Sequence, residues 1–382
     1  MIPPEAPPRI PVRFEVILPD TTPAGPIYLS GNLPEAGSWK ADGMMLTRID
    51  DTIAIGALLL PADTPLEFKI TRGTWETVEK GQAFEEIQNH KIVVSDTALL
   101  LETPLMEMRI RVTSWSDQRP AVPPTFTGTI QRHDGFASTN LGNQRTLLVY
   151  LPPGYDSKND RYPVLYVHDG QNIFDANMSF TGVEWGVDER CEELIKSEAM
   201  EPIIVVGVYN AGGARMDEYS PDPDQKRGGG HGELYAKFLI EEVKPFIDTT
   251  YRTLPDRDHT AVMGSSMGGL ISLYLVWEHA DVFSKAAAVS PSLWWADRKI
   301  IQRIESSAPS ILPAKLWVDM GTAESLYPDT YLDDFRSLGT ILEGKGLKPD
   351  ASLIVRVFDG ADHSERAWAA RTADILKFLF GR

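Results

Sequence analysis

The sequence predicts a doubly wound, mostly parallel α/β sheet preceded by a smaller all-β sandwich domain. From about residue 128, continuous apolar runs such as "PVLYVHDG" and "PIIVVGV" alternate with helical patterns. Such runs are typical of strands buried on both faces, and their alternation with helices indicates a parallel sheet covered by helices on both sides. Before residue 115, short alternating segments are separated by Gly, Pro, Asn and Asp, which favours a sandwich of short strands.

Each half contains a regular series of predicted elements. In the first half, six segments have strand character: "VRFEVIL", "PIYLSG", "AIGALLL", "LEFKITR", "KIVVSD" and "LMEMRIRV". In the second half, strands are predicted at "TLLVYL", "PVLYVHDG", "PIIVVGV", "TAVMG", "AAAVS", "KLWVDMG" and "SLIVRVFDG", and helices over 185–197, 233–247, 267–278, 329–343 and 364–379. The predicted domains are a β-sandwich over 10–114, a proline-rich linker over 115–127 and an α/β domain over 128–382.

Charge and composition exclude several classes of protein. The formal net charge of −17 argues against binding to nucleic acid or to anionic membranes. The apolar runs are too short to span a bilayer, and no group of His, Cys, Asp and Glu has metal-ligand spacing, so no membrane segment, metal or other cofactor is expected. The single cysteine and the lack of a signal-like start predict a cytoplasmic protein, although a chain trimmed of its signal peptide would look the same. The oligomeric state leaves no mark in the sequence.

One serine lies in a motif with catalytic character. The stretch "AVMGSSMGGL" places Ser266 in a Gly-x-Ser-x-Gly pattern, between the short strand "TAVMG" and a helix that is apolar on most sides. A nucleophilic serine requires this context, because the sharp turn strains the serine backbone and side chains at the flanking Gly264 and Gly268 would collide with neighbouring elements. The motif therefore favours a nucleophile over an ordinary glycine-rich loop.

A nucleophilic serine needs a histidine base and a carboxylate that orients the histidine. In sheets of this kind the order along the chain is Ser, acid, His, and two histidines follow Ser266. His279 lies thirteen residues further along the same helix, which is about 20 Å away. His363 instead follows the strand "SLIVRVF" and precedes the last helix, so it is the predicted base.

The acid must follow a strand between these two residues. The stretch "KLWVDMGTAES" offers Asp319 and Glu324. Asp319 still lies in the apolar run, where its side chain points to one face of the sheet, whereas Glu324 lies beyond the turn and can lean towards His363. Glu324 is therefore favoured, with Asp319 and Asp329 as alternatives.

The reaction also needs two N–H donors for the developing oxyanion. One is the backbone N–H of Met267, the residue after the serine. The second is assigned by position to Gln171, in the loop after "PVLYVHDG".

Several residues near strand ends are candidates for the substrate pocket. Trp294 and Trp295 follow the strand "AAAVS", and at least one of them is expected to line the pocket. Trp185 is a further candidate. Arg215, after "PIIVVGV", is expected either to meet an anionic group of the substrate or to form a surface ion pair.

Residues 128–382 resemble the esterase family of α/β-hydrolases, which includes enterochelin, feruloyl and acetylxylan esterases and S-formylglutathione hydrolases. The resemblance rests on "YPVLYVHDGQNIFD", "GSSMGGL", "VSPSLWW", the "GTAE" turn and "DHSERAWAAR", in that order. It implies Ser266 as nucleophile, His363 as base, Glu324 as acid, and an oxyanion hole at Gln171 and Met267. Glu324 is a departure, since many members carry aspartate there.

The first half resembles a family-20 starch-binding domain. The stretch "IYLSGNLPEAGSWKADG" is similar to the glycine-rich turn of that family, whose sugar-stacking tryptophan would be Trp39. The stretch "LEFKITRGTWETVE" supplies Lys69 and Trp75 at matching places. The resemblance implies two aromatic platforms and a polar neighbour for an oligosaccharide; alternatively, these tryptophans belong to the core.

The sequence as a whole predicts a serine carboxylic-ester hydrolase that works through an acyl-enzyme. Its substrate would be a small or glycan-linked ester, such as an acyl or feruloyl ester of a carbohydrate or a siderophore-type ester. One alternative is acyl transfer to another alcohol, which the same triad would catalyse. Another is a glycan-binding protein whose hydrolase domain is a scaffold. A serine peptidase with an N-terminal propeller is disfavoured, because no blade repeat is present.

Overall fold

The polypeptide divides into two units, residues 1–122 and residues 123–382. The computed structural model describes residues 8–82, 84–94, 106–120, 123–324 and 328–382, without the side chains of 328–330. Within those ranges, no helix is both long and apolar enough to cross a membrane.

The first unit is all-β, as predicted. Its strands are β1 (Arg9–Ile17), β2 (Ile27–Gly31), β3 (Met44–Arg48), β4 (Ile53–Pro61), β5 (Leu66–Thr71), β6 (Glu79–Lys80), β7 (His90–Ile92), β8 (Met106–Arg111) and β9 (Ser114–Trp115). Seven of them form a sheet in the order β7-β5-β2-β3-β4-β1-β8, in which β1 and β8 run parallel. Strands β6 and β9 pair separately.

The seven-stranded sheet folds over itself to enclose a core. Strands β1 and β5 are four positions apart in the sheet order, which in a flat sheet means about 19 Å. Nevertheless, the rings of Phe14 on β1 and Phe68 on β5 meet edge to face, with centroids 5.5 Å apart. Alternate residues of β1 are buried in this core, because successive side chains of a strand point to opposite faces.

The segment over 115–127, which the sequence predicts to be a linker, is hydrogen-bonded at both of its ends. Trp115 is fully buried in the core of the first unit, where its Nε1 donates a hydrogen bond to Thr22 Oγ1 at 2.9 Å. At the other end, the N–H of Thr127 donates to Asp188 Oδ2 of the second unit at 2.7 Å. The two ends of this segment therefore belong to the folded units, because a buried indole and paired backbone groups anchor them.

The second unit contains an eight-stranded mixed sheet. Its strands are β10 (Thr129–Ala137), β11 (Gln144–Leu151), β12 (Val164–His168), β13 (Ile204–Val208), β14 (Thr260–Ser265), β15 (Lys285–Val289), β16 (Lys315–Gly321) and β17 (Leu353–Phe358). Their order is β10-β11-β13-β12-β14-β15-β16-β17. Strand β11 pairs antiparallel with both β10 and β13, and the six strands β12 to β17 run parallel to one another. This confirms the predicted fold class, and all seven predicted strands of this half are present.

Helices lie between the strands. They are α1 (Val187–Lys196), α2 (Arg215–Glu218), α3 (Gly232–Lys237), α4 (Lys244–Thr250), α5 (Met267–Glu278), α6 (Lys299–Ser306), α7 (Pro328–Gly344), α8 (Glu365–Ala369) and α9 (Thr372–Phe380). A π-helical turn, Phe238–Val243, joins α3 to α4. Helix α5 is buried along nearly its whole length, as expected from its apolar sequence. The carboxyl ends of the parallel strands meet at one edge of the sheet, where the predicted catalytic residues lie.

Candidate active site

Ser266 lies on a strained turn between β14 and α5. Its backbone angles, φ 57° and ψ −118°, are in a region that side-chain-bearing residues rarely adopt. The flanking glycines allow this turn. A Cβ on Gly264 would lie 2.8 Å from the backbone of Gly268 and 2.9 Å from the ring of His168. A Cβ on Gly268 would lie 3.3 Å from Asp169 Oδ2, so the turn packs directly against the loop that follows β12.

His363 and Glu324 are in hydrogen-bond contact. The Nδ1 atom of His363 lies 3.1 Å from Oε2 of Glu324, whose side chain is only 3% exposed. The other carboxylate oxygen, Oε1, accepts hydrogen bonds from Ser290 Oγ at 2.6 Å and from the N–H of Gly321 at 2.5 Å. Because these donors hold Oε1, the second oxygen of the carboxylate points to the imidazole.

Asp319, the alternative acid, is occupied elsewhere. It is fully buried and accepts hydrogen bonds from Arg371 Nη1 at 2.6 Å, Trp317 Nε1 at 2.6 Å and the N–H of Ser290 at 3.2 Å. Burial raises the pKa of Asp319, and these three donors oppose that effect. Asp329 belongs to α7, and its side chain lies outside the described residues. The geometry therefore favours Glu324 as the partner of His363.

The structure does not join Ser266 to His363 directly. Ser266 Oγ lies 3.3 Å from Ser292 Oγ. Among the described residues, no other side chain forms a hydrogen bond with Ser266 Oγ. Catalytic hydrogen bonds are often loose before substrate binds and tighten in the complex. The pairing of serine and histidine therefore stays a prediction.

The predicted oxyanion donors follow two paired strands. Gln171 lies in the 3₁₀ turn Gly170–Asn172 after β12, and Met267 is the first residue of α5 after β14. The first N–H groups of a helix have no partner within the helix, so the N–H of Met267 is free to bind an oxyanion. Since β12 and β14 are parallel neighbours, both donors lie at the same edge of the sheet. That both N–H groups bind the same oxyanion stays a prediction.

Asp169 and Arg215 fix the loop that carries Gln171. Asp169 has a left-handed backbone, with φ 55°, and its two carboxylate oxygens accept from Arg215 Nε and Nη2, each at 2.7 Å. Burial alone would raise the pKa of Asp169, but the Arg215 guanidinium and a hydrogen bond from Asn210 lower it below its ordinary value. Of the two predicted roles for Arg215, the structure shows an ion pair.

His168, just before this loop, is excluded as a base. Its Nδ1 lies 2.9 Å from Tyr235 Oη, and it is almost completely buried. Burial lowers the pKa of His168 to about 3, so the imidazole is neutral at physiological pH. Its ring supports the turn at Gly264 instead.

The three predicted pocket tryptophans have different environments. Trp295 is 1% exposed, and its Nε1 donates to the carbonyl of Asp222 at 2.7 Å, so it belongs to the core. Trp185 is also buried, with its ring 5.9 Å from that of Trp368, which in turn lies 4.9 Å from the imidazole of His363. Trp294 alone among the three is only half-buried. It is the candidate that remains accessible to a substrate.

A network of buried side chains behind Glu324 was not predicted from the sequence. Arg371, between α8 and α9, is buried, and its Nη1 donates both to Asp319 and to Ser290 Oγ, at 2.6 and 3.1 Å. Trp368 Nε1 donates to the same hydroxyl at 3.0 Å. Ser290 therefore links Arg371 and Trp368 to Glu324. The motifs "VSPSLWW" and "RAWAAR" contain these residues, but their partners lie far apart in the sequence.

In the first unit, Trp39 and Trp75 lie together at the surface. Their ring centroids are 6.4 Å apart at an interplanar angle of 43°, and the residues are 37% and 38% exposed. Lys69 differs from its predicted role as their polar neighbour. It is 5% exposed, and its Nζ pairs with Glu86 Oε1 at 3.0 Å. The neighbouring Phe68 and Ile70 of β5 point into the core, so Lys69 lies on the opposite face of the strand, where the segment that contains Glu86 covers it.

Comparison with known proteins supplies the family. The Esterase family model matches residues 138–379, which is more than half of the chain. The chain belongs to the Esterase family. As a member of it, this esterase is an ester hydrolase of the carboxylesterase type. The starch binding domain model matches residues 9–102 of the esterase, within the all-β unit.

Relatives of this esterase cover about two thirds of its chain or nearly all of it. The uncharacterised protein YbbA of Bacillus subtilis is 23% identical over 258 residues, covering 65% of this chain and 97% of YbbA. A ferulic acid esterase superimposes with a TM-score of 0.52 at 21% identity, over 67% of this chain and 99% of that one. The enterobactin esterase FES from Shigella flexneri, at 15% identity and a TM-score of 0.51, covers 96% of this chain and 92% of its own. These structures establish the fold.

Proposed function

We propose that this esterase hydrolyses its substrate through an acyl-enzyme on Ser266, with His363 as base and Glu324 as the orienting carboxylate. The observation that carries the proposal is the contact between Glu324 Oε2 and His363 Nδ1 at 3.1 Å. Because Nδ1 is held by the carboxylate, the opposite nitrogen, Nε2, is the one left to accept the proton of a serine hydroxyl.

The reaction would proceed in two steps. Ser266 Oγ attacks the ester carbonyl while His363 Nε2 takes its proton, and the N–H groups of Met267 and Gln171 stabilise the oxyanion. The protonated imidazole then returns the proton to the leaving alcohol, and Glu324 stabilises the imidazolium. Water, activated by the same histidine, hydrolyses the acyl-enzyme and releases the acid. Before the first step, the Ser266 hydroxyl must turn from Ser292 towards the imidazole.

We infer that the substrate is an acyl ester linked to a glycan. Trp39 and Trp75 present two partly exposed rings near each other, which is the arrangement that the flat face of a sugar requires. In the second unit, the ring of Trp294 is half-buried, which favours a substrate with an aromatic acyl group. The guanidinium of Arg227 lies 4.9 Å from the centroid of the Trp294 ring. A feruloyl-type ester of a carbohydrate has both parts.

Replacement of the two neighbouring serines tests the nucleophile. Ser266→Ala should lower kcat for a p-nitrophenyl short-chain ester by about 10³-fold or more, because it removes the hydroxyl that attacks the ester carbonyl. Ser265→Ala is the matched control, since Ser265 is the last, buried residue of β14. It should keep most of the activity, and both variants should unfold close to the wild-type temperature. A Ser266→Ala enzyme with wild-type turnover would refute the assignment.

A further inference from the structure

Three carboxylates converge at the start of α1, away from the triad. Glu184, Asp188 and Glu189 can each place an oxygen within 4.8 Å of the others, and we call them the acidic cluster. Glu184 precedes the helix, and the other two lie in its first turn. Carboxylates are favoured in a first helical turn by the helix dipole, so their position alone does not indicate a site.

The buried oxygens of the acidic cluster are a second, independent observation. Asp188 is fully buried; its Oδ2 accepts the N–H of Thr127 at 2.7 Å, but its Oδ1 has no hydrogen-bond partner. The Oε2 atoms of Glu184 and Glu189 are likewise buried and unpartnered. One oxygen of each carboxylate therefore accepts a hydrogen bond, and the other oxygen has no donor. Buried carboxylate oxygens without a donor are strongly unfavourable, so this arrangement indicates a missing positive partner.

The protein itself does not supply that partner among the described residues. The two basic residues of α1 are paired elsewhere, Arg190 with Glu193 at 2.6 Å and Lys196 with Glu192 at 2.8 Å.

We propose that the acidic cluster binds a Ca²⁺ ion. All available donors are oxygens, which a hard cation prefers, and neither His nor Cys is among them, as a zinc site would require. Two threonine hydroxyls border the cluster: Thr125 Oγ1 donates to Glu184, and Thr127 Oγ1 donates to Glu189 at 3.0 Å. Ca²⁺ accepts six to eight oxygens in a flexible geometry, whereas Mg²⁺ demands a near-ideal octahedron. Carboxylates that already hold hydrogen bonds suit the less demanding ion.

Such an ion would fasten the segment around Thr125 and Thr127 to the start of α1. Residue Trp185, next to Glu184, packs against Trp368 beside His363. The bound cation would therefore stabilise the wall behind the active site, and it would take no part in the reaction. This inference does not depend on the proposed catalytic roles.

Calorimetry and thermal unfolding of the full-length protein test the proposal. After treatment with EDTA and removal of the chelator, titration with CaCl₂ should show one site with a dissociation constant on the order of 10⁻⁵–10⁻³ M. CaCl₂ at 5 mM should raise the unfolding temperature by about 3 °C or more relative to EDTA. MgCl₂ at the same concentration should have a clearly smaller effect. No heat and no shift with CaCl₂, or an equal shift with MgCl₂, would overturn the Ca²⁺ site.

Variants of the acidic cluster locate the site. Asp188→Asn should weaken Ca²⁺ binding at least tenfold, yet in EDTA it should unfold no earlier than wild type, because it removes one uncompensated buried charge. Glu193→Gln, an exposed residue of the same helix, is the matched control and should keep the wild-type response. Should Asp188→Asn fail to fold, Glu184→Gln provides the same comparison. A cluster variant that binds Ca²⁺ as tightly as Glu193→Gln would refute the assignment.

Discussion

Arg371 determines which carboxylate near the end of β16 can serve His363. Its guanidinium, 1% exposed, donates to Asp319 at 2.6 Å and lies 3.6 Å from Glu324 Oε1. A buried guanidinium needs a paired anion, and Asp319 is that anion because three donors surround it. Glu324 is left with one oxygen for the imidazole. The two carboxylates lie five residues apart but therefore have different surroundings: Asp319 is paired with Arg371, and Glu324 contacts His363.

Neutral amide variants separate these two tasks. Glu324→Gln should lower kcat by about 10²–10³-fold with little change in KM, because the amide no longer stabilises the imidazolium. Asp319→Asn should chiefly lower stability, by about 3–5 kcal/mol, because it leaves the Arg371 charge buried and unpaired. Steady-state kinetics and urea unfolding measure the two effects. If Asp319→Asn abolished turnover at wild-type stability while Glu324→Gln stayed active, the acid would be misassigned.

His168 makes folding stability dependent on pH. Burial lowers its folded-state pKa to about 3 from an ordinary value of 6.5. Between these pH values the unfolded chain binds a proton that the folded protein excludes, so this contribution to stability is complete above pH 6.5 and is lost as pH falls. The expected loss from this group is about 2 kcal/mol between pH 7 and pH 5.

Replacement of this histidine should flatten the pH dependence. His168→Asn keeps a polar atom near the position of Nδ1, facing Tyr235, but does not titrate. Its free energy of unfolding, from urea titrations at pH 7, 6 and 5, should fall less steeply than that of wild type. His231→Gln, at an exposed histidine, serves as the control and should follow wild type. Parallel curves for His168→Asn and wild type would contradict the argument.

At the scale of single elements, the turn between β14 and α5 depends on the absence of side chains. A Cβ on Gly264 would lie within 3 Å of the Gly268 backbone and of the His168 ring, and neither of these buried groups has room to move. By contrast, a Cβ on Gly344, at the end of α7, would meet nothing within 4 Å. The same substitution should therefore have opposite effects at the two positions.

Glycine-to-alanine variants test this difference. Gly264→Ala should destabilise the protein by about 3 kcal/mol and lower kcat, because relief of the clash shifts Ser266. Gly344→Ala should be neutral or stabilising by up to about 1 kcal/mol, since alanine is the better helix former. Thermal unfolding and ester hydrolysis report both effects. Equal stability of the two variants would mean that the turn has more space than the structure indicates.

The elements that the sequence predicted are those with a strong local pattern. The buried strands β11 to β17 and helix α5 were predicted because long apolar runs determine them. Strand β10 was missed because only intermediate and exposed residues form it. Helix α6 was missed although Ile300, Ile301 and Ile304 form one buried face, because eight residues are too short for a clear helical period. Short strands such as β6 and β9 arise from pairing with a distant segment, which no local window contains.

In the candidate site too, the residues that were predicted are those with a local sequence pattern. Ser266, Glu324 and His363 were predicted because motif, strand ends and chain order constrain them. Arg371 was missed because its partner Asp319 is 52 positions away, and a buried ion pair leaves no local pattern. The acidic cluster was missed for a related reason: its buried oxygens are brought together with Thr125 and Thr127 only by folding.

At the scale of the whole molecule, the chain joins an ester hydrolase to a unit that matches a starch binding domain. A binding unit on the same chain as an enzyme raises the local concentration of substrate, but only for substrates that are polymeric or surface-bound. For a small soluble ester the first unit would have no effect on turnover. This difference makes the role of the Trp39–Trp75 pair measurable in the intact protein.

Truncation of the two rings should separate binding from catalysis. Each of Trp39→Ala and Trp75→Ala should weaken β-cyclodextrin or maltoheptaose binding by about 1–2 kcal/mol, from a starting affinity on the order of 10⁻⁵–10⁻³ M, because ring stacking supplies most of the contact. Leu59→Ala, which removes an exposed apolar side chain of β4, is the control. All three variants should hydrolyse a p-nitrophenyl ester at the wild-type rate, whereas the tryptophan variants should act more slowly on acylated starch granules. If wild type showed no calorimetric response to any α-glucan at about 10 mM, the paired rings would serve another contact, and small soluble esters would become the favoured substrates.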